Sequence, residues 1–289
     1  MKAFDLYEPE TIEEACAMLA KGNGEAGILA GGTDLLVEMK SGRVTLRNVI
    51  NLKRIQGLDY ISFDPTQGMR IGALATWTQI LESEEIAGYY PVLKQSAQVM
   101  ASAQIRNMAT LAGNICHASP AANGPIPLLL YEAECTIQGT SGKRTVPIQD
   151  MFAGVQRNSL NPGEILVEIQ MPLPPSLTGG SYEKFATRKA IDLGIVGVGV
   201  LATVKNGYFD LVRIALAAVA PWPLRASIAE AFLEGKKSDD GLIREASKIA
   251  SEECSPISDV RASREYRTEL VKELTFRAIK RCVPSMPEG

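Results

Sequence analysis

Residues 172–180 (Pro-Leu-Pro-Pro-Ser-Leu-Thr-Gly-Gly) carry three prolines and two glycines in nine positions. No helix runs through such a stretch, because proline removes a backbone donor and glycine raises the entropic cost of order. The chain therefore reads as two parts that meet near residue 176. A length of 289 residues agrees, allowing two domains of roughly 150 residues each. The periodicity also changes there. Short apolar runs alternate with helical periods before the break, whereas two long β-runs followed by three helices come after it. The expected class is α+β, with domains over 1–176 and 177–289.

The first part opens on a helix start. Thr11 can cap and Glu14 lies three residues on, followed by Ala15, Met18 and Leu19 at helical spacing. Residues 26–30 (Ala-Gly-Ile-Leu-Ala) read as a strand that runs into Gly31, Gly32, Thr33 and Asp34. A helical period resumes at Leu35, Leu36 and Met39, and 44–52 reads as a further strand. A strand at 69–75 leads to a second capping box, Thr76 with Gln79. One long helix is predicted over 91–107, then a loop of small residues over 110–124, then strands at 135–138 and 165–169.

Beyond the break, 196–204 and 209–219 flank Asn206 and Gly207, and Asn-Gly is the strongest short hairpin signal. Helices are predicted over 224–233, 242–252 and 262–281. The basic run Arg261, Arg264 and Arg267 reads as a solvent or subunit-contact face.

Composition narrows the chemistry. One histidine rules out a two-His zinc site, a facial iron triad and a histidine relay. Cys16, Cys116, Cys135, Cys254 and Cys282 are scattered without a Cys-x-x-Cys pair, which argues against an iron–sulfur cluster in this chain. An odd number of cysteines without a secretory signal fits reduced thiols in the cytoplasm. A formal net charge of −3 argues against a nucleic-acid surface. The longest nearly apolar stretch, 193–204, contains three glycines and is too short to span a membrane as a helix. If this chain takes part in chemistry, its reactive atoms are borrowed.

Two small-residue segments are candidates for holding what is borrowed. The first, 30–34, lies between a strand and a helix, where glycines permit close backbone approach and free N–H groups favour an anion. It also reads as a plain turn with Thr33 or Asp34 as N-cap. The second is 110–114, with Ser119, Pro120 and Asn123 after it, which also reads as a surface loop. Two such loops in one domain suit a large anionic ligand such as a dinucleotide. Cys116 and His117 lie inside the second segment. They read as packing or cofactor contacts, since no third group is marked to orient the imidazole for nucleophilic catalysis.

The chain resembles the FAD-binding medium subunits of molybdenum hydroxylases, the family of xanthine, carbon monoxide and nicotinate dehydrogenases. The resemblance rests on Leu-Ala-Gly-Gly-Thr-Asp-Leu at 29–35 and Gln-Ile-Arg-Asn-Met-Ala-Thr-Leu-Ala-Gly-Asn-Ile at 104–115. It extends to Ala-Ser-Pro at 118–120, Pro-Gly-Glu-Ile-Leu at 162–166, and 182–192. Residues 220–225 and 261–267 look most like bacterial xanthine dehydrogenase subunits. The resemblance implies an FAD-binding fold of the vanillyl-alcohol-oxidase (PCMH) type, with subdomains of about 1–56 and 57–176, followed by an α+β C-terminal domain.

It also implies a non-covalent FAD held by Ile28, Leu29, Ala30, Gly31, Gly32, Thr33, Asp34 and Leu35. A second cradle would be formed by Thr110, Leu111, Ala112, Gly113 and Asn114. Met100, Asn123, Ile165, Lys184 and Leu193 would complete the site. Ala112 stands where the family has a glycine, and Asn123 where it has an aspartate. A large molybdopterin subunit and a small [2Fe–2S] subunit are the implied partners. The implied role is electron transfer through FAD to NAD or another acceptor, in a xanthine or purine dehydrogenase. The alternatives are the same role in a nicotinate, aldehyde or carbon monoxide dehydrogenase, or an assembly subunit that has lost FAD.

Overall fold

The computed structural model describes residues 1–188 and 192–283. Lys189, Ala190 and Ile191, within the resembling stretch 182–192, lie outside the described residues, as do 284–289. The architecture is α+β, as expected, and is organised around three principal sheets.

The first sheet is parallel. It contains β1 (Asp5–Tyr7), β2 (Ala26–Leu29) and β3 (Asn48–Asn51) in the order β1-β3-β2, with α1 (Ile12–Lys21) and α2 (Leu35–Ser41) as crossovers. Thr11 caps α1 by accepting from the Glu14 N–H at 3.2 Å. The Glu14 carboxylate accepts from the Glu10 N–H, one residue earlier than a standard capping box would place it.

The second sheet is antiparallel, in the order β4-β5-β10-β6-β7. Its strands are β4 (Ile61–Asp64), β5 (Gly68–Gly72), β6 (Glu134–Gly139), β7 (Gly142–Pro147) and β10 (Ile165–Met171). A short ribbon, β8 (Phe152–Gly154) with β9 (Arg157–Asn158), precedes β10. Between β5 and β6 lie α3 (Trp77–Glu82), α4 (Glu84–Tyr89), α5 (Pro91–Gln98), α6 (Ala103–Arg106), α7 (Leu111–His117) and α8 (Pro125–Leu130). The capping box of Thr76 with Gln79 forms as predicted.

Two expectations for this part change. The single helix over 91–107 is two, α5 and α6, because Ala101 adopts a left-handed φ of 40°. Ser102 restarts the helix by accepting from the Ile105 N–H, and Arg106 Nη1 donates to the Met100 carbonyl at 2.7 Å. The small-residue run 110–124 is not a loop throughout. Thr110 caps α7, which ends at Ala118 (φ 51°), and Pro125 starts α8 at its first turn.

The third sheet has the order β11-β12-β13-β14: β11 (Thr178–Phe185), β12 (Val196–Lys205), β13 (Tyr208–Ala217) and β14 (Leu224–Arg225). Residues 178–180, expected in the linker, already pair with β12. Asn206 (φ 54°) and Gly207 (φ 80°) make the two-residue turn that the Asn-Gly signal predicts. The C-terminal helices are α9 (Ser227–Leu233), α10 (Asp240–Glu252) and α11 (Arg264–Cys282).

The first eight residues of β12 are buried without alternation, because both faces of the sheet are covered. The C-terminal helices pack on one face. Helix α8 reaches the other across Gly197 and Gly199, where a Cβ on Gly199 would lie 2.3 Å from Ile126. Arg267 is 3% exposed and donates to the carbonyls of Ile195 and Ala218, with Asp259 2.8 Å from Nη2. It is thus an interior strut, not the surface residue expected. No helix among the described residues is long and apolar enough to cross a membrane.

Candidate functional site: a cleft between the first two sheets

Strand β2 and the loop after it face the second sheet across a cavity of about 690 Å³. That size is in the range of small-molecule and cofactor sites, roughly 300–1,000 Å³. One wall comes from the end of α1 and from β2, the loop 30–34 and α2. The other comes from Ala73, Met100, helix α7 and residues 158–166.

The loop 30–34 is built to offer donors. Among the described residues, the N–H groups of Gly31, Gly32, Thr33 and Asp34 have no backbone acceptor. Asp34 occupies the N-cap of α2, yet its side chain makes no capping hydrogen bond. A plain capping turn would have used that carboxylate. Gly32 has φ +74°, and a Cβ on Gly31 would lie 2.1 Å from the Met108 carbonyl oxygen. Glycine is therefore required at both positions, in one case by conformation and in the other by space.

The second segment is arranged differently. Thr110 Oγ1 accepts from the Gly113 N–H at 3.0 Å, the Leu111 N–H donates to the Ala75 carbonyl and the Asn114 N–H to the Thr110 carbonyl. Ala112 is helical with negative φ, so its methyl group strains nothing. Asn114 Oδ1 accepts from the Gly124 N–H, which ties α7 to the start of α8.

Of the expected positions, Ile28, Ala30 to Leu35, Met100, Thr110, Ala112, Gly113, Asn114 and Ile165 line the cavity. The other five lie off its wall. Leu29 packs in a small apolar cluster with Met39 and Val49, and Leu111 is fully buried in the main core. Leu193 is half exposed. Asn123 is buried, with Oδ1 accepting from the Tyr182 hydroxyl at 3.1 Å and Nδ2 donating to Met100 Sδ at 3.4 Å. Lys184 Nζ donates to the Asp192 carbonyl at 2.9 Å, and burial lowers its pKa below the usual lysine value. Asn123 thus approaches the cleft through the sulfur of Met100.

Sequence reasoning missed the wall made by Leu19, Asn23, Ala73, Asn158 and Asn161. The signal for part of it was the turn at Pro162 and Gly163, where φ is +83° and a Cβ would lie 2.8 Å from Ala20. Glu164 beside it is held by Arg144 through two contacts of 2.7 Å, which bring its pKa down to about 2. Cys116 and His117 both line the cavity. Burial pushes the Cys116 thiol up to about 12, which keeps it protonated and poorly nucleophilic. His117 Nε2 lies 3.3 Å from Glu38 Oε1.

Among the described residues, neither lysine nor arginine lines this cleft. An anion placed there is therefore met by backbone dipoles, and the apolar wall suits flat ring systems. A two-walled cleft of this kind, with a row of free N–H groups on a glycine loop, has the size and the donors that a dinucleotide-type cofactor such as FAD requires.

Comparison with known proteins agrees. The family described as "FAD binding domain in molybdopterin dehydrogenase" matches residues 2–174, and the "CO dehydrogenase flavoprotein C-terminal domain" matches residues 181–282. The chain belongs to the family of FAD-binding subunits of molybdenum hydroxylases, and FAD is its cofactor. It is 32% identical over 278 residues to the xanthine dehydrogenase FAD-binding subunit of Escherichia coli O157:H7, covering 96% of this chain and 95% of that one. It is 31% identical over 276 residues to the carbon monoxide dehydrogenase medium chain of Hydrogenophaga pseudoflava, covering 96% of each. The solved carbon monoxide dehydrogenase from that organism, which lacks the Mo-pyranopterin moiety of the molybdenum cofactor, matches with a TM-score of 0.94 at 31% identity over 97% of each chain.

Proposed function

We propose that this chain is the FAD-carrying electron-transfer subunit of a xanthine- or purine-oxidising molybdenum dehydrogenase, with NAD or another molecule as acceptor. A large partner chain would hold molybdopterin and a small one the [2Fe–2S] clusters. The likeness to the Escherichia coli subunit supports the substrate class. The observation that carries the cofactor site is the row of free N–H groups at 31–34. FAD, when bound, supplies the redox chemistry, accepting electrons one or two at a time and giving up a hydride.

The chain's own residues bind and orient. The N–H groups of 31–34 would take the pyrophosphate, with Thr110, Ala112 and Gly113 facing it from the opposite wall. Ile28 and Ile165 would pack against the ring systems. Asn123 would position Met100, and Lys184 would hold the segment that ends β11. Residues 1–176 would form the FAD-binding domain, in lobes of about 1–56 and 57–176, and 177–289 the C-terminal domain. The sheets support this division, since each draws its strands from one of these segments. All five cysteines are free, which fits a reducing, cytoplasmic compartment.

The deciding experiment is an absorbance scan of the purified chain followed by purine turnover in the assembled complex. About one flavin released per chain on denaturation, with NAD or another acceptor reduced when xanthine is supplied, is the expected result. A colourless chain that takes up no added FAD defeats the cofactor site. A yellow complex inert towards purines defeats only the substrate class.

A further inference from the structure

The two walls of the cleft are joined unevenly. Among the described residues, only two hydrogen bonds connect residues 1–56 with the rest of the chain. One is a thiol donor, Cys16 Sγ to the Gln138 carbonyl at 3.3 Å. It lies on the side where the chain itself crosses, next to an apolar cluster containing Leu52, Ile55, Leu58, Leu74 and Ile165. Gly57 there has φ +78°, a conformation open to a residue without Cβ.

The second bond is His117 to Glu38, at 3.3 Å, and both residues line the cavity. Glu38 comes from α2 on one wall and His117 from the end of α7 on the other. Their side chains are 17% and 22% exposed, so neither is locked in the core. The Gln156 side-chain nitrogen lies 3.4 Å from the same Nε2. The Gln156 amide donates, so it can bond Nε2 only in the ring tautomer protonated at Nδ1, whereas the Glu38 contact needs the Nε2 proton. On release, water reaches both partly exposed side chains, so neither is left without a partner. A joint that is apolar and covalent at one edge, with a single side-chain hydrogen bond away from it and otherwise packing contacts such as Gly31 against the Met108 carbonyl, has the mechanics of a hinge and a catch.

We propose that Glu38 and His117 form a latch across the cofactor cleft, which must release for FAD to enter or leave. The proposal rests on the cleft being the FAD site. A latch acts on the rate of opening and not on the bound state. Breaking it therefore raises the association rate as well as the dissociation rate, which mere loss of a cofactor contact does not do. A residue that touches the cofactor would instead raise koff and weaken Kd in proportion.

The test is stopped-flow flavin fluorescence on the FAD-free full chain, comparing wild type with Glu38→Ala, His117→Ala and the double variant. The expected result is about a fivefold rise in both kon and koff, the scale of one partly exposed hydrogen bond. The double variant should be no faster than either single one, because the same contact is already broken. Glu38→Gln keeps the shape and an acceptor, and should fall between wild type and Glu38→Ala, which covers a failure of the alanine variants to fold. Wild-type rates in all folded variants overturn the latch, and so does a rise in koff matched by a weaker Kd. A wild-type chain that binds no FAD overturns the cofactor reading instead, before any variant is compared.

Discussion

The two backbone segments that face each other across the cleft differ in how many donors they have left to give. In the loop 31–34 all four N–H groups lack a backbone partner. In 110–114 the N–H groups of Leu111, Gly113 and Asn114 are already taken, by the Ala75 carbonyl, the Thr110 hydroxyl and the Thr110 carbonyl. The first segment is held open by glycine geometry and is stable with its donors unused. The second is a capped helix start, stable because its own threonine satisfies it. A cradle of the first kind depends on space and backbone conformation. One of the second kind tolerates side-chain change, provided the cap survives.

The largest effect that follows falls on Gly31. A Cβ there would sit 2.1 Å from a backbone oxygen that cannot rotate away, so Gly31→Ala must shift the loop or part the two walls. Flavin occupancy should drop at least tenfold, with a stability loss of about 2–3 kcal/mol in thermal unfolding. Occupancy near wild type would mean that the loop does not set the site.

Thr110→Ala comes next. Loss of the cap should cost about 1 kcal/mol of stability. It also frees the Gly113 N–H, so FAD affinity should fall by no more than about threefold. A loss of flavin as complete as that of Gly31→Ala would break the contrast between the segments.

The same contrast explains what could be read in advance. The strand–loop–helix at 26–39 was legible because a strand, two glycines and a resumed helical period leave few alternatives, and the hairpin was legible because Asn206 and Gly207 are suited to their left-handed turn. Helix α7 was not, since Leu-Ala-Gly-Asn-Ile-Cys-His shows no clear polar and apolar faces. Helix α8 was hidden for the opposite reason. All six of its residues are buried, which leaves no periodicity to detect. The break between α5 and α6 falls at Val-Met-Ala-Ser without proline or glycine. It is supported by contacts from far along the chain, such as Asn123 on Met100. Local signals located the loop that holds open donors, whereas tertiary contacts decided the rest of the wall.

A smaller effect concerns the far wall, where Arg144 grips Glu164. The guanidinium brings the Glu164 carboxyl from 4.5 down to about 2. A depressed carboxyl pKa stabilises the fold above the unfolded value and loses that contribution as pH falls through the folded one. Arg144→Ala should therefore cost about 0.5–1 kcal/mol at pH 7, allowing for solvent screening of the partly exposed guanidinium. The difference from wild type should shrink steadily between pH 5 and pH 2 in thermal unfolding. A pH-independent difference would assign the effect to packing of the arginine stem.

The smallest effect is the most discriminating for the second segment. Ala112 stands where the resemblance leads one to expect glycine, and the substitution would matter only if that residue were left-handed or if its Cβ occupied cofactor space. Its φ is negative and it lies in the first turn of α7, 4% exposed. Ala112→Gly should thus lower stability by about 0.5 kcal/mol, the ordinary helix penalty, and leave FAD affinity within twofold of wild type. If glycine instead tightens FAD several-fold, the methyl group intrudes on the cofactor. The second segment would then depend on close backbone approach as the first does, and the distinction between an open loop and a capped helix start would fail.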